Sequence, residues 1–382
     1  MQRIAGSITD VAAAVDASAW VRAMRAGDFA AAWAIGDRNL AELAGSADGH
    51  RDKHAGPRHL QRIWRGEELR DRRVLVRCYH GLGDTIQFAR FIPGLRRIAR
   101  EVIVWCQADL LPLVERVDGV DRVIPLHEGT PDVAFDVDIE IMEIPHAIRA
   151  QRTQFEMRAP YLRLGSHDLP RSGGGDAALS VGLVWDVGDW DERRRVPALL
   201  LRRFCMDGVK LYALQAGPAR EAATEIGAID AGAPDIETLA GRLARLDLVI
   251  SVDTMVAHLS AALGRETWIM LHSQCDWRWP ASGSRTYWYP SARLFHQRRA
   301  GEWSDVITDV RSALEARVQA DRSNVGAHHD ASSQVIATPG GDNPPSRVSP
   351  PPDAGRANAD RADRGSLAGS RQDGPVPASR ES

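Results

Sequence analysis

Four short stretches of this 382-residue chain gather residue types able to do chemistry. The first, YHGLGDTIQFARFIP from Tyr79 to Pro93, follows the apolar run RVLVRCY and reads as a glycine loop opening a helix. Helix N-termini carry partial positive charge and free N–H groups, so a bound phosphate is the first expectation. Two features oppose it. The dinucleotide fingerprint needs a third glycine three residues after the second, and here Gly81 and Gly83 are followed at that position by Ile86. Asp84 already supplies an anion at the helix start, and a diphosphate beside it would be repelled. A carboxylate at the end of the first strand of a doubly wound sheet can instead take a proton from an attacking hydroxyl, with Gly81 and Gly83 letting a substrate approach the backbone. The plain alternative is that Asp84 caps the helix.

The second stretch, DLVISVDTMVAHLSAALGRETWIML from Asp247 to Leu271, runs strand, helix, strand. Asp253 and Thr254 stand at the first turn. His258 lies four residues after Thr254 on the same helix face, one turn deeper. Thr254 and the first free N–H groups can receive a phosphate and His258 can add a donor, or all three serve capping and packing. The third stretch, WDVGDWDERRRVP from Trp185 to Pro197, presents Arg193, Arg194 and Arg195 in a polar loop after a strand, where a diphosphate would find its neutralising cations. Solvated surface is the competing reading. The fourth, CDWRWPASGSRTYWYPSARLF, collects Trp277, Trp279, Tyr287, Trp288 and Tyr289. Its rings can stack on sugar faces, but packing of a C-terminal segment back over an earlier domain is the simpler expectation.

Positioning these stretches requires alternating strands and helices. From Arg73 to about Gly165, and again from about Val181 to Leu271, apolar runs of strand length alternate with helical patterns, which predicts two parallel, doubly wound α/β domains. The spans expected are a helical segment over 1–60, a first domain over 61–170, a second over 178–318 and a disordered tail over 320–382. The break is the glycine-rich GSHDLPRSGGGDAALS. Residues 18–46 read as two short helices broken at Gly27–Asp28, resembling the end of a tetratricopeptide repeat without a second copy. The tail has no aromatic residue and cannot bury enough apolar surface to offset ordering.

Composition narrows the function class. The balance of 48 basic against 51 acidic residues, a net charge of −3, gives no reason to expect nucleic acid as a partner. Cys78, Cys106, Cys205 and Cys275 match no zinc or redox spacing, so neither a metal nor a cofactor is expected, and a reduced, cytoplasmic setting fits. Asp10 and Asp16 interrupt the N-terminal apolar stretch, which therefore lacks a signal-peptide core.

The pairing of GLGDTIQFARFIP with DLVISVDTMVAHLSAALGR resembles glycosyltransferase family 9, the ADP-heptose heptosyltransferases. It is most similar to the heptosyltransferase-like domains that follow tetratricopeptide repeats in bacterial proteins, over roughly Gln61 to Leu314. The resemblance implies a GT-B architecture and inverting, metal-independent sugar transfer. The donor would be a nucleotide sugar such as ADP-heptose, and the acceptor a glycan, glycolipid, lipopolysaccharide or protein. Work at an envelope would allow peripheral membrane association. By the same resemblance Asp84 is the general base, Asp253, Thr254 and His258 meet the donor, and a basic residue near Arg194 or Arg195 joins them. Met255 replaces a glycine usual after the Asp-Thr pair, and His80, in the acceptor loop, replaces a glutamine. A catalytically degenerate GT-B domain serving as a scaffold is the alternative reading.

Overall fold

The structure, a computed structural model, describes residues 18–157, 159–165, 178–188 and 191–333. Much of the expected glycine-rich break, the N-terminal stretch bearing Asp10 and Asp16, and the tail beyond Ser333 lie outside these residues.

Two helices open the chain, α1 at residues 18–26 and α2 at Phe29–Ala44. They part where the sequence predicts. Gly27 adopts φ +69° and the Asp28 carboxylate accepts the Ala31 N–H at 3.1 Å, a side-chain cap that starts α2. Gly36, inside α2, lets the His146 ring lie against the helix, since a Cβ there would come within 2.6 Å of it.

The first sheet has four parallel strands, β1 (Arg73–Arg77), β2 (Glu101–Cys106), β3 (Arg122–Pro125) and β4 (Val137–Glu140), in the order β3-β2-β1-β4. Helices α3 (Leu82–Phe88), α4 (Ile92–Arg96), α5 (Leu111–Val114), α6 (Ile144–Ala147) and α7 (Arg152–Phe155) connect and flank them. The helical stretch around Pro93 is interrupted by a 3₁₀ turn over Ala89–Phe91, and Pro93 stands in the first turn of α4. Strand β4 is not apparent from the sequence, because VDIE carries two acids. Asp138 is accommodated by cations: Arg77 donates to it at 2.7 Å and the Lys53 ammonium lies 2.7 Å away.

The second sheet has six parallel strands, β5 (Leu179–Val184), β6 (Val209–Ala213), β7 (Ile229–Asp230), β8 (Leu248–Val252), β9 (Thr267–Leu271) and β10 (Ala292–His296), in the order β10-β9-β8-β5-β6-β7. Counted from β5, this is the 3-2-1-4-5-6 order of a Rossmann sheet. Helices α8 (Ile236–Leu243), α9 (Met255–Ala262) and α10 (Ser304–Ser333) belong to this half, and the segment from Ala198 to Phe204 is 3₁₀ rather than α. The last helix runs past Gln319 to Ser333, so ordered backbone extends into the span expected to be tail. Two Rossmann-like parallel-sheet domains are thus present, the GT-B architecture expected.

One apolar cluster runs through both halves, beside a second confined to the second sheet domain and a small third one on the first sheet. Trp288 packs against Phe88 and Phe155 at 5.5 and 5.0 Å between ring centroids, which makes the aromatic stretch a segment crossing back over the first domain. Arg90, 1% exposed, staples this crossing. It donates to Gln87 O at 2.8 Å, to Phe155 O at 2.9 Å, to the Tyr161 hydroxyl at 3.0 Å and to Trp288 O.

Candidate active site

In open α/β sheets ligands bind beyond the carboxyl ends of the strands where the strand order reverses. The first sheet reverses between β1 and β4, and the loop after β1 carries His80, Gly81, Gly83 and Asp84. Gly81 is the N-cap of α3 and Asp84 its third residue. The Asp84 Oδ2 accepts the Gly81 N–H at 3.0 Å, so the capping role is present. Its other oxygen, Oδ1, is held by the Arg278 guanidinium, which also bonds Asp276 at 2.8 Å and stacks over Trp277 at 4.8 Å. Both oxygens of the expected base are therefore engaged, although a quarter of the side chain remains exposed.

The loop is pinned from behind. Gln107 donates to His80 O at 2.7 Å and accepts from the Thr85 hydroxyl at 3.0 Å. The His80 ring is half-buried, with Nε2 4.0 Å from Glu140 Oε1 at the end of β4. Burial lowers the His80 pKa; Asp84 acts against this, and Arg278 adds to it. Burial pushes the Glu140 carboxyl well above the ordinary carboxylate range. Its Oε2 accepts the Met142 N–H at 2.7 Å, while Oε1 has no hydrogen-bond partner among the described residues. Glu143, one turn on, accepts the Trp64 and Glu140 N–H groups at 2.9 and 3.0 Å, and burial raises it to about 7.

The second sheet reverses between β5 and β8. Beyond β8, Thr254 begins α9 without a side-chain cap bond, its hydroxyl lying 3.0 Å from that of Ser251. Beyond β5, Arg194 reaches across the switch to donate to Asp253 O at 2.9 Å, with Asp253 Oδ2 at 3.5 Å. Burial works to raise the Asp253 pKa, but His258, Arg194 and Trp279 outweigh it and hold the carboxyl at about 2. Arg195 turns to Asp186 at 2.7 Å and Gly188 O at 3.1 Å, and Arg193 to Asp191 at 2.9 Å. The arginine run is thus interleaved with acids, and Arg194 is the member that meets the Asp-Thr turn.

Two expected binding residues have other work. His258 is 6% exposed; Nδ1 lies 2.9 Å from the Tyr289 hydroxyl, Nε2 3.7 Å from Asp253, and the ring stacks on Trp279. Both ring nitrogens thus face side chains of the packed interface, Tyr289 on one side and Asp253 on the other. Gly83 is not an approach path for substrate, since a Cβ there would lie 2.9 Å from His258 Cδ2 and 3.5 Å from Met255 Cα. The glycine lets α3 and α9 touch, and the two helices are in extensive contact. Met255 meets Gly83 through its backbone.

The switch points of the two sheets consequently face each other. One side holds His80, Gly81 and Asp84 with Glu140 behind them, and the other Arg194, Asp253 and Thr254. Arg278 ties the sides together. It and Glu140 escape sequence reasoning, the first because its aromatic neighbours mark the stretch as packing, the second because β4 does.

No protein-family model matches the chain. Protein FlbA of Caulobacter vibrioides is 26% identical over 298 residues, covering 66% of this chain and 48% of that protein, so the chain spans about half the length of this curated relative. Among solved structures, the glycosyl transferase family 9 protein from Veillonella parvula is similar, with 15% identity, 66% of this chain and 99% of that chain covered, and a TM-score of 0.46. The ADP-heptose lipopolysaccharide heptosyltransferase II of E. coli has 14% identity, coverage of 65% and 99%, and a TM-score of 0.47. The E. coli heptosyltransferase WaaC bound to ADP-2-deoxy-2-fluoro heptose has 15% identity, coverage of 64% and 99%, and a TM-score of 0.44.

Proposed function

We propose that the protein transfers a sugar from a nucleotide-sugar donor, held at the second switch point, to a hydroxyl presented at the first. The observation that carries this reading is the opposition of two switch points, one presenting Asp84 held by Arg278 and the other Arg194 beside the Asp253–Thr254 turn. Two facing ligand crevices suit a two-substrate reaction, and the second offers a diphosphate the Arg194 guanidinium and a helix N-terminus. In this reading Arg194 and the uncapped N–H groups at Thr254 neutralise the diphosphate as it leaves. Arg195 joins them if the diphosphate displaces Asp186. Asp84 accepts the proton of the attacking hydroxyl once that hydroxyl replaces Arg278 at Oδ1. His80 and Gly81 flank the acceptor. A heptose donor, an inverting course and a cytoplasmic site at the envelope extend the motif resemblance and belong to the same proposal.

The engagement of both Asp84 oxygens favours one other reading, a degenerate domain that binds partners without turnover. A thermal-shift series with ADP, UDP, GDP and CDP, followed by nucleoside diphosphate release from a panel of nucleotide sugars, separates the two. Stabilisation by one nucleotide, lost in Arg194→Ala and Thr254→Ala, supports transfer, because a ligand selective for the folded state raises stability by about 2.7 kcal/mol at a hundredfold excess over Kd. Absence of stabilisation by all four, with no release, favours the scaffold.

A further inference from the structure

Between the N-terminal helices and the first sheet domain lies a hollow of about 450 Å³ that the donor site does not use. It is open to solvent and lies in the size range of small-molecule sites. Four indoles line it: Trp20 and Trp33 from α1 and α2, Trp64 from the segment before β1, and Trp277 from the crossing segment. Trp20 and Trp277 meet edge to face at 4.8 Å, forming an aromatic corner, and both remain partly exposed.

The hollow also has polar walls. Glu143 lines it, and with Oε2 taken by two backbone N–H groups, Oε1 has no hydrogen-bond partner among the described residues. The side chains of Asn39 and Arg62 line it too, without hydrogen bonds to described residues. An apolar occupant would strip water from Asn39 and Glu143 and leave them unpaired, at a cost of about 1–3 kcal/mol each. A ring with apolar C–H faces and a rim of hydroxyls satisfies indoles and polar groups together.

The hollow adjoins the reacting loop. Its lining residues Phe88, Trp277 and Met142 form the shell around Arg278: the guanidinium lies 5.8 Å from the Phe88 centroid and 4.8 Å from that of Trp277, with Nη2 3.9 Å from Met142 Sδ. That guanidinium holds Asp84. We propose that this hollow is the acceptor pocket and that its occupant is a pyranose ring stacked in the Trp20–Trp277 corner and hydrogen-bonded by Asn39, Arg62 and Glu143. The N-terminal helices are then a wall of the active site and not packing alone. The word acceptor rests on the sugar-transfer reading; the binding of a pyranose does not.

The test uses the full chain and a panel of methyl pyranosides, read by saturation-transfer NMR and tryptophan fluorescence, with nucleotide-induced thermal shift measured in parallel. At least one pyranoside should bind the wild type, and Trp20→Ala and Asn39→Ala should each weaken it about tenfold while leaving the nucleotide-induced shift, taken from each variant's own baseline, near wild type. If no pyranoside binds, if binding is indifferent to both substitutions, or if a tryptophan-bearing peptide binds and no pyranoside does, the assignment is overturned. Pyranoside binding without a nucleotide response would leave the pocket standing and remove the transfer reading instead.

Discussion

The Asp84–Arg278 pair yields the sharpest prediction, because it separates a structural aspartate from a working one. Asp84→Asn removes the charge facing a guanidinium whose side chain is only 10% exposed. Breaking a buried pair from one side costs about 3–5 kcal/mol, because the remaining charge is uncompensated. Two features reduce the figure here. Asp276 stays on Arg278 at 2.8 Å, and Asp84 is itself 24% exposed, so solvent screens part of the attraction. The asparagine oxygen can still accept the Gly81 N–H, so little of the cap is lost. The net expectation is about 2 kcal/mol, or roughly 3 °C in unfolding temperature for a body of this size. Calorimetric melts of Asp84→Asn, Arg278→Met and the double variant would measure it, and the double variant should recover much of the loss, since removing both charges together avoids the orphan. An unchanged unfolding temperature in Asp84→Asn would refute the argument. If transfer is abolished at the same time, the aspartate is poised for chemistry and the ion pair contributes nothing to the fold.

Other consequences follow from the same contacts. Gly83→Ala should separate α3 from α9 and lower the denaturant midpoint by the equivalent of about 1–2 kcal/mol, since the clash with His258 exceeds the gain in helix propensity. Arg90→Met leaves the Phe155 and Trp288 carbonyls and the Tyr161 hydroxyl without their donor, so a loss above about 3 kcal/mol is expected in chemical denaturation; wild-type stability would show that the staple is dispensable. Glu143 gives a pH signature. Its carboxyl is raised from 4.5 to about 7 in the fold, so the folded state holds a proton that the unfolded chain releases. The stability this provides is complete below pH 4.5 and is lost as pH rises through about 7. Glu143→Gln should flatten the stability curve across that window, and an unaltered slope would assign the titration elsewhere.

Much of the fold is legible in the sequence because alternating apolar runs of strand and helix length admit few topologies. RVLVRC, EVIVWC, VGLVWDV and DLVISV announce their strands, and the helix start at Gly81–Asp84 follows from glycine and aspartate chemistry alone. Strand β4 is illegible for an equally local reason. Its Asp138 and Glu140 break the apolar pattern, and the cations that make Asp138 tolerable, Arg77 and Lys53, lie 61 and 85 residues earlier in the chain. With β4 goes Glu140, and with it the acid behind His80.

The candidate site divides along the same line. Residue type and spacing are enough to mark Asp84, the run Arg193 to Arg195, Asp253 and Thr254, because a residue's place at a strand end or a helix start is a property of its neighbours in the chain. Whether a marked residue is free to meet a ligand depends on groups brought to it from far away. Tyr289 and Trp279 enclose His258, the α9 backbone fills the space that Gly83 leaves, and Arg278, 194 residues downstream, occupies Asp84. Burial and charge compensation are set by the packing of whole elements, and one chain read in order carries no record of which elements touch.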